Sequence, residues 1–560
     1  MTFEPRVVLA AFDGTQPPPD GVPAWLARSW EDPDGFAAAM APVHAGRSTP
    51  FKSRTGQHHD FFHDLVARHA TTDRIALRAY SRTQGWRTLS YRQLQEQATR
   101  RATAWAGAGV KPGAKLCLML PPGPELMVSL CAALGLGACV SLLPPGARAF
   151  VARRLDALAP QHIAAEPHQA PLLGKHAARL LPPQTQVPPA LASYTYKPSE
   201  PVGLLFSPLA NPSDVPVPLT AGDAWRSALV DGLLTFGLSP GDHLAAPGFH
   251  PLQHLPALYF TTLLRGATFL HVEPADLEVS PALLTEHPVR ALGLTPAVRD
   301  LVARARLPLK SVGLWFRDPQ APFDFQAWRD AIKACGLAGV PGGNVCVDPA
   351  WGGAVLCSHR RAAADVHTDI APAPGRAWAL RDFTDSGQDA AGDTGLFTPL
   401  PDAGRPPAHV VLTRVRGQYH HLGGREPRRE GRVFLFTEVA EALREPPGPR
   451  LDAVGLAVPV SGMAGAYRGV LLVFTGDLPP GVEVSDADVR RRIEQALGAD
   501  ALPDRIERFA LHARRLDGQQ DGPVDEEWCR SQYLTGSLKL KAGDPLFQAL
   551  TSLRARVESR

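Results

Sequence analysis

His59 and His63 stand four residues apart in "GQHHDFFHD" with Asp60 nearby, a pair of imidazoles that on one helix face has the spacing of a metal grip. The glutamate of a metalloprotease helix is missing, so a solvated helix face is the expectation here. His250 and His254 repeat the spacing. Phosphate binding, a second chemistry, needs a glycine-rich turn between strand and helix whose amides point at the anion. "LLFSPLANPSDVPVPLT", Leu204 to Thr220, holds such a position but carries four prolines and neither glycine nor lysine. Ser207, Asn211 and Ser213 are left to meet an anion, and Asp214 adds negative charge. Proline donates no N–H and fixes φ, and without glycine the positive-φ positions of an anion nest are absent. "RGQYHHLGGREPRRE" is a basic run with two histidines, for which a solvated hinge is the plain reading. No GxSxG, CxxC pair, dinucleotide fingerprint or nucleic-acid module stands out.

The elements that must hold these residues come from a chain of 560 residues, long enough for about two to four domains. Its 44% hydrophobic and 20% charged content is that of a globular protein. With 58 basic and 55 acidic residues the net charge is +3, too balanced to draw the chain to nucleic acid or an anionic membrane. The seven cysteines, among them Cys117, Cys346 and Cys529, are scattered and without paired spacing. They read as reduced thiols in a cytoplasmic protein. The N-terminus shows no export signal, and no apolar run of about 18 residues predicts a membrane span.

Residues 1–51, rich in proline around "AWLARSW", read as an extension lying on the surface of the main body. From there "HHDFFHDLVARHA" predicts a helix, "RIALRAY" a strand, and "WRTLSYRQLQEQATRRATAWAGAGV" a strand entering a helix. Ser90 and Gln93 have capping-box spacing, and Leu94, Ala98, Ala102 and Trp105 share one helical face. "KLCLML", "PELMVSLCAALGLGA" and "CVSLLPP" continue a β-α-β order, which implies parallel strands with helices on both faces. A large α/β body of mixed sheets and helices is therefore expected over 52–415, and after the shift at "LPDAGRPPAH" a small α+β domain over 416–536. The tail 537–560 places Leu546, Leu550, Leu553 and Val557 on one helical face, expected to dock on the chain's own body.

The order of these phrases resembles the adenylate-forming superfamily: acyl- and aryl-CoA synthetases, peptide-synthetase adenylation domains and luciferases. "LSYRQLQEQATRRATAWAGAGVKPGAKLCLMLPPGPELMVSLCAALGLGACVSLLPP" is similar to the N-terminal phrase of that family, and "PGFHPLQHLPALYFTTLLRGATFLH" to its central helix. "GQYHHLGGRE", "TEVAEAL" and "PDRIERF" are similar to its hinge and C-terminal lid. The resemblance implies ATP-dependent activation of a carboxylate as an acyl-adenylate, then transfer to CoA or a carrier-protein pantetheine. It also puts His250 beside an acyl pocket, as an aromatic gate, a packing group or a ligand contact, and makes the basic run a candidate contact for phosphopantetheine or a carrier protein.

That chemistry needs amides around the phosphates, a metal-side acid, a ribose-binding acid and cations on the reacting groups. The family's phosphate loop aligns with Pro208–Pro216. Where Tyr-Gly-x-Thr-Glu should precede Gly352, Gly353 and Ala354, the chain has Cys346, Val347, Asp348, Pro349 and Ala350, so Asp348 is the acid at hand, two residues out of register. The ribose-binding aspartate falls on His409, and the arginine after the hinge glycine on Gly424, with Arg425 next to it. The C-terminal catalytic lysine falls on Pro523. The expectation is a decayed ATP site on a kept scaffold, with no catalytic residue, cofactor or metal. Its partners would be a small acyl ligand, an acyl carrier protein or a biosynthetic enzyme. The alternative is a divergent acyl- or aminoacyl-activating ligase that holds ATP and Mg²⁺ through Ser207, Asn211, Ser213, Asp348, His409 and Arg425, and then uses CoA or pantetheine.

Overall fold

The computed structural model describes residues 3–539 apart from 13–21, 46–49, 146–147, 182–191, 207–214, 320–324, 359–369, 383–387, 401–409, 416–417, 425–427, 430–431, 434–435, 460–466, 512–528, 530–531 and 534. Local signals fix many of its elements. The Ser90 side chain accepts from the Gln93 amide and Gln93 answers the Ser90 amide, which starts the helix Tyr91–Gly107. Its face of Leu94, Ala98, Ala102 and Trp105 is buried. The next helix, Pro124–Leu136, ends on Gly137 at φ 79°, where a Cβ would come within 2.5 Å of the Tyr194 ring.

The expected helix from His58 onward is shorter than its pattern. Asp60 accepts the His63 amide at 2.9 Å and so caps a helix that begins only at Phe61 and ends at Leu65; a separate short turn follows at Ala67–His69. His59 lies before the cap, bridged to Tyr196 and buried against Trp225, while His63 bonds Asp64. Neither a shared helical face nor a solvated one results, because a local side-chain cap overrides the periodicity.

Parallel strands build the main body, as the β-α-β order predicts. In a nine-stranded sheet, Ile75–Ser81, Thr268–His271, His243–Ala245, Val289–Gly293, Leu314–Arg317 and Gly342–Asp348 run parallel. Antiparallel Gly85–Ser90 borders one side, and Gly353–Cys357 with Ala371–Pro372 the other. A five-stranded sheet holds Lys115–Met119 and Cys139–Leu142 between His162–Ala165 and Pro201–Leu205, with Val217–Thr220 antiparallel at its edge. All seven cysteines are buried, and none is joined in a disulfide.

The N-terminal segment does not simply lie on the surface. It forms helices Pro5–Phe12, Ala24–Glu31 and Pro33–Ala45, and Val8, Phe12, Leu26, Phe36 and Met40 are buried in the same core as the sheets. Trp30 meets Trp378 at 5.3 Å and Tyr419 at 6.1 Å, so these helices also pack on a four-stranded antiparallel sheet, Trp378–Arg381, Thr394–Pro399, Val410–Val415 and Gln418–Gly424.

The chain divides into two compact units, one of Met1–Pro145, Arg154–Glu426 and Glu430–Arg432, the other of Gly146–Arg153, Pro427–Arg429 and Val433–Arg560. The first runs beyond position 415 because Gln418–Gly424 is a strand paired with Val410–Val415. Residues 401–409 of "LPDAGRPPAH" lie outside the described residues, and Gln418–Gly424 of the basic run is sheet with Tyr419 buried, where a solvated hinge was expected. In the second unit, Asp452–Pro459, Tyr467–Phe474 and Arg505–Phe509 form a sheet covered by helices Phe436–Arg444 and Asp486–Leu497, joined through Val439, Leu443, Leu471 and Ile493. The amphipathic tail with Leu546, Leu550, Leu553 and Val557 lies outside the described residues.

Candidate functional site

In parallel α/β sheets ligands bind beyond the carboxyl ends of the strands. Here those ends carry Ala246–His250, Leu294, Asp318 and Pro349–Trp351. His250 is half-buried and stands at the start of the short helix Pro251–His254. Gln253 on that helix is buried, and its amide nitrogen donates to Asp318 Oδ2 at 3.1 Å and to the Val347 carbonyl at 3.2 Å. One side chain thereby fixes the His250 helix to the ends of two strands. His254 Nδ1 lies 3.0 Å from the His250 carbonyl, which sets its tautomer with the proton on Nδ1, and its ring meets Phe249 edge-on at 4.7 Å. Phe249 in turn packs on Phe316 at 5.5 Å. Only glycine fits at position 293 between them, where a Cβ would come within 2.8 Å of Phe249 and 2.9 Å of Phe316. Rings, one glutamine and one carboxylate form the wall.

The turn after Gly342–Asp348 completes the site. Asp348 is buried, and its carboxylate accepts the Ala350 amide at 2.9 Å, capping a tight turn of Pro349, Ala350 and Trp351, which are all buried. Gly352 at φ 70° reverses the chain into Gly353–Cys357. A clamp grips this turn from the helix Ala221–Val230 and its π-turn extension Asp231–Thr235. Ser227 donates to the Trp351 carbonyl at 2.9 Å, Arg376 donates to that carbonyl at 3.2 Å and to Ser227, and Asp231 Oδ2 accepts the Ala354 amide at 2.8 Å. Burial pushes the Asp231 carboxyl up to about 6, against the opposing pull of the Ala354 amide, Arg376 and the Thr235 hydroxyl. Burial also lowers Arg317 to about 10, leaving it charged at neutral pH beside Trp328.

Residues 64–182 match a family model described as AMP-binding enzyme. Salicyl-AMP ligase / salicyl-S-ArCP synthetase of Mycobacterium tuberculosis is 33% identical over 120 residues, 21% of this chain and 21% of that protein. The match therefore spans about a fifth of this curated relative. Among solved structures, a double mutant of o-succinylbenzoate CoA synthetase from Bacillus subtilis, bound with its product analogue, superposes with a TM-score of 0.64 at 13% identity, covering 84% of this chain and 98% of that one. In sequence, residues 64–182 are thus similar to AMP-binding enzymes, and in fold the chain is similar to o-succinylbenzoate CoA synthetase.

Against the adenylate-forming pattern, the structure brings His250 and Asp348 to one end of the sheet, linked through Gln253 and the Val347 carbonyl. Ser207, Asn211, Ser213, Asp214, His409, Arg425 and Pro523 lie outside the described residues. No group of acids, histidines and cysteines suited to a metal occurs among the described residues, and none of their helices is long and apolar enough to cross a membrane. In the described turn Asp348 accepts the Ala350 amide, and Ala350 falls on the position that the resemblance gives to an acid. Sequence reasoning missed Ser227, Asp231, Gln253, Asp318 and Arg376. A polar pair at i, i+4, Ser227 and Asp231 in the apolar run "SALVDGLLTF", was the signal for two of them.

Proposed function

We propose that this chain is a non-catalytic adenylate-forming protein, kept to bind an acyl group and through it a carrier protein or a biosynthetic enzyme. One observation carries the reading: the turn that should present an acid to the metal is a buried Pro349–Ala350–Trp351 turn whose neighbouring carboxylate, Asp348, is engaged by the Ala350 amide. The proline-filled sequence of Leu204–Thr220 and Pro523 at the lysine position point the same way. Loss of single charge-stabilising groups typically lowers rates by about 10²- to 10³-fold. The wall of Phe249, Phe316 and His254 beside His250 suits an apolar acyl group with a polar end. The relatives support an acyl thioester context: one is named for a salicyl-S-ArCP product, and the other was solved with a CoA product analogue. Carboxylate-dependent exchange of pyrophosphate into ATP is expected to stay at the level of a heat-killed control across a panel of aryl and alkyl acids. Exchange above that level, abolished by Asp348→Ala or His409→Ala, would instead identify a divergent ligase.

A further inference from the structure

The N-terminal helices reach the candidate site through one short stretch of chain, residues 371–376. Ser29, buried on the helix Ala24–Glu31, donates its hydroxyl to the Leu26 carbonyl at 2.7 Å and accepts the Gly375 amide at 3.1 Å. The Trp30 indole donates to the Ala373 carbonyl at 3.2 Å, and the Ala373 amide donates to the Val355 carbonyl at 2.9 Å. The residue after Gly375 is Arg376, which holds the Trp351 carbonyl at 3.2 Å and Ser227. A second tie runs beside it, since Arg226, next to Ser227, pairs with Asp34 of the helix Pro33–Ala45 at 2.9 Å. We propose that Ser29 and Trp30 are positioning residues for the turn 348–354: the N-terminal helices hold 371–376, and 371–376 holds the turn through Arg376 and Val355.

The Ser29 hydroxyl is a set acceptor, because its own proton is committed to the Leu26 carbonyl one turn back. Between the Gly375 amide and the start of the Arg376 side chain lie only the two soft dihedrals of Gly375 and one planar peptide, so holding the amide fixes the point from which the guanidinium reaches. Burial makes that reach exacting, since a charged donor pulled off its acceptor loses more than a neutral one. Gly375 itself stands at φ 67°, where glycine is at ease, and a Cβ there would come within 2.9 Å of the Phe36 ring. The inference rests on the reading of the turn 348–354 as a wall of the acyl site, and it makes the N-terminal segment part of what shapes that wall.

Amide hydrogen exchange followed by mass spectrometry tests this on the full chain at constant pH. Ser29→Ala removes the acceptor and keeps the helix, while Trp30→Phe keeps a ring and removes the donor. Each is expected to lower protection in peptides covering 371–377 by about three- to tenfold, the worth of one net hydrogen bond, and in 349–357 by about twofold or more. The strand Lys115–Met119, in the other sheet, is expected to stay as in the wild type. Arg376→Met separates positioning from packing: on that background Ser29→Ala is expected to loosen 371–377 as before but 349–357 no further, because the link is already cut. The proposal is overturned if Ser29→Ala loosens 371–377 and leaves 349–357 unchanged, if its effect on 349–357 simply multiplies that of Arg376→Met, or if Lys115–Met119 loosens equally. Should Arg376→Met not fold, the exchange of 349–357 against Lys115–Met119 in the two single variants still decides. No nucleotide or acid enters the experiment, so its failure is separate from any failure of the pseudoenzyme reading in pyrophosphate exchange.

Discussion

Asp231→Asn is more stable than the wild type by about 3 kcal/mol at pH 7.5 and indistinguishable from it below about pH 4. Inside the protein the carboxyl is raised from 3.8 to about 6, so between those values the folded chain holds a proton that the unfolded chain has released. Stability from this group is therefore fully present below 3.8 and is lost as the pH rises through about 6, the reverse of a salt-bridged aspartate. Asparagine keeps both hydrogen-bonding roles toward Ala354 and Thr235 and removes the charge that burial opposes. Urea denaturation of both proteins at several pH values checks it. Destabilisation by Asp231→Asn that is equal at pH 4 and pH 7.5 would show that the side chain acts through packing alone.

Phe36→Ala lowers stability by about 3–5 kcal/mol, the usual loss for emptying a buried aromatic site. Phe36 has no exposed surface, stacks against Trp25 at 6.3 Å, meets Phe3 edge-on at 5.1 Å, and lies against Gly375, where a Cβ would come within 2.9 Å of its ring. It thus joins the N-terminal helices to the segment that carries Arg376 and the clamp. The denaturation midpoint reads the effect, and a change under about 1 kcal/mol would mean that these helices contribute little to the core.

What the sequence made legible was whatever a few neighbouring residues decide. Ser90 and Gln93 announce a helix start because both bonds of the box lie within one turn, and "KLCLML" announces a buried parallel strand because both of its faces are apolar. His59 and His63 misled because periodicity is a weaker force than the Asp60 cap between them. The clamp was out of reach for a different reason. Asp231 acquires its meaning from an amide 123 residues away and Gln253 from a carbonyl 94 residues away, and nothing local separates them from ordinary polar positions on helices. Asp348 was found as an acid near the right place, but only coordinates show its carboxylate turned onto the Ala350 amide.

The central claim is that the scaffold has been kept and the nucleotide chemistry has not. Calorimetric titration of the full chain with Mg-ATP addresses it directly. No saturable heat is expected up to about 1 mM ligand, which would reveal binding as weak as roughly −4 kcal/mol. Saturable binding, with ATP then seen against Ser207–Pro216 in a crystal, would contradict it.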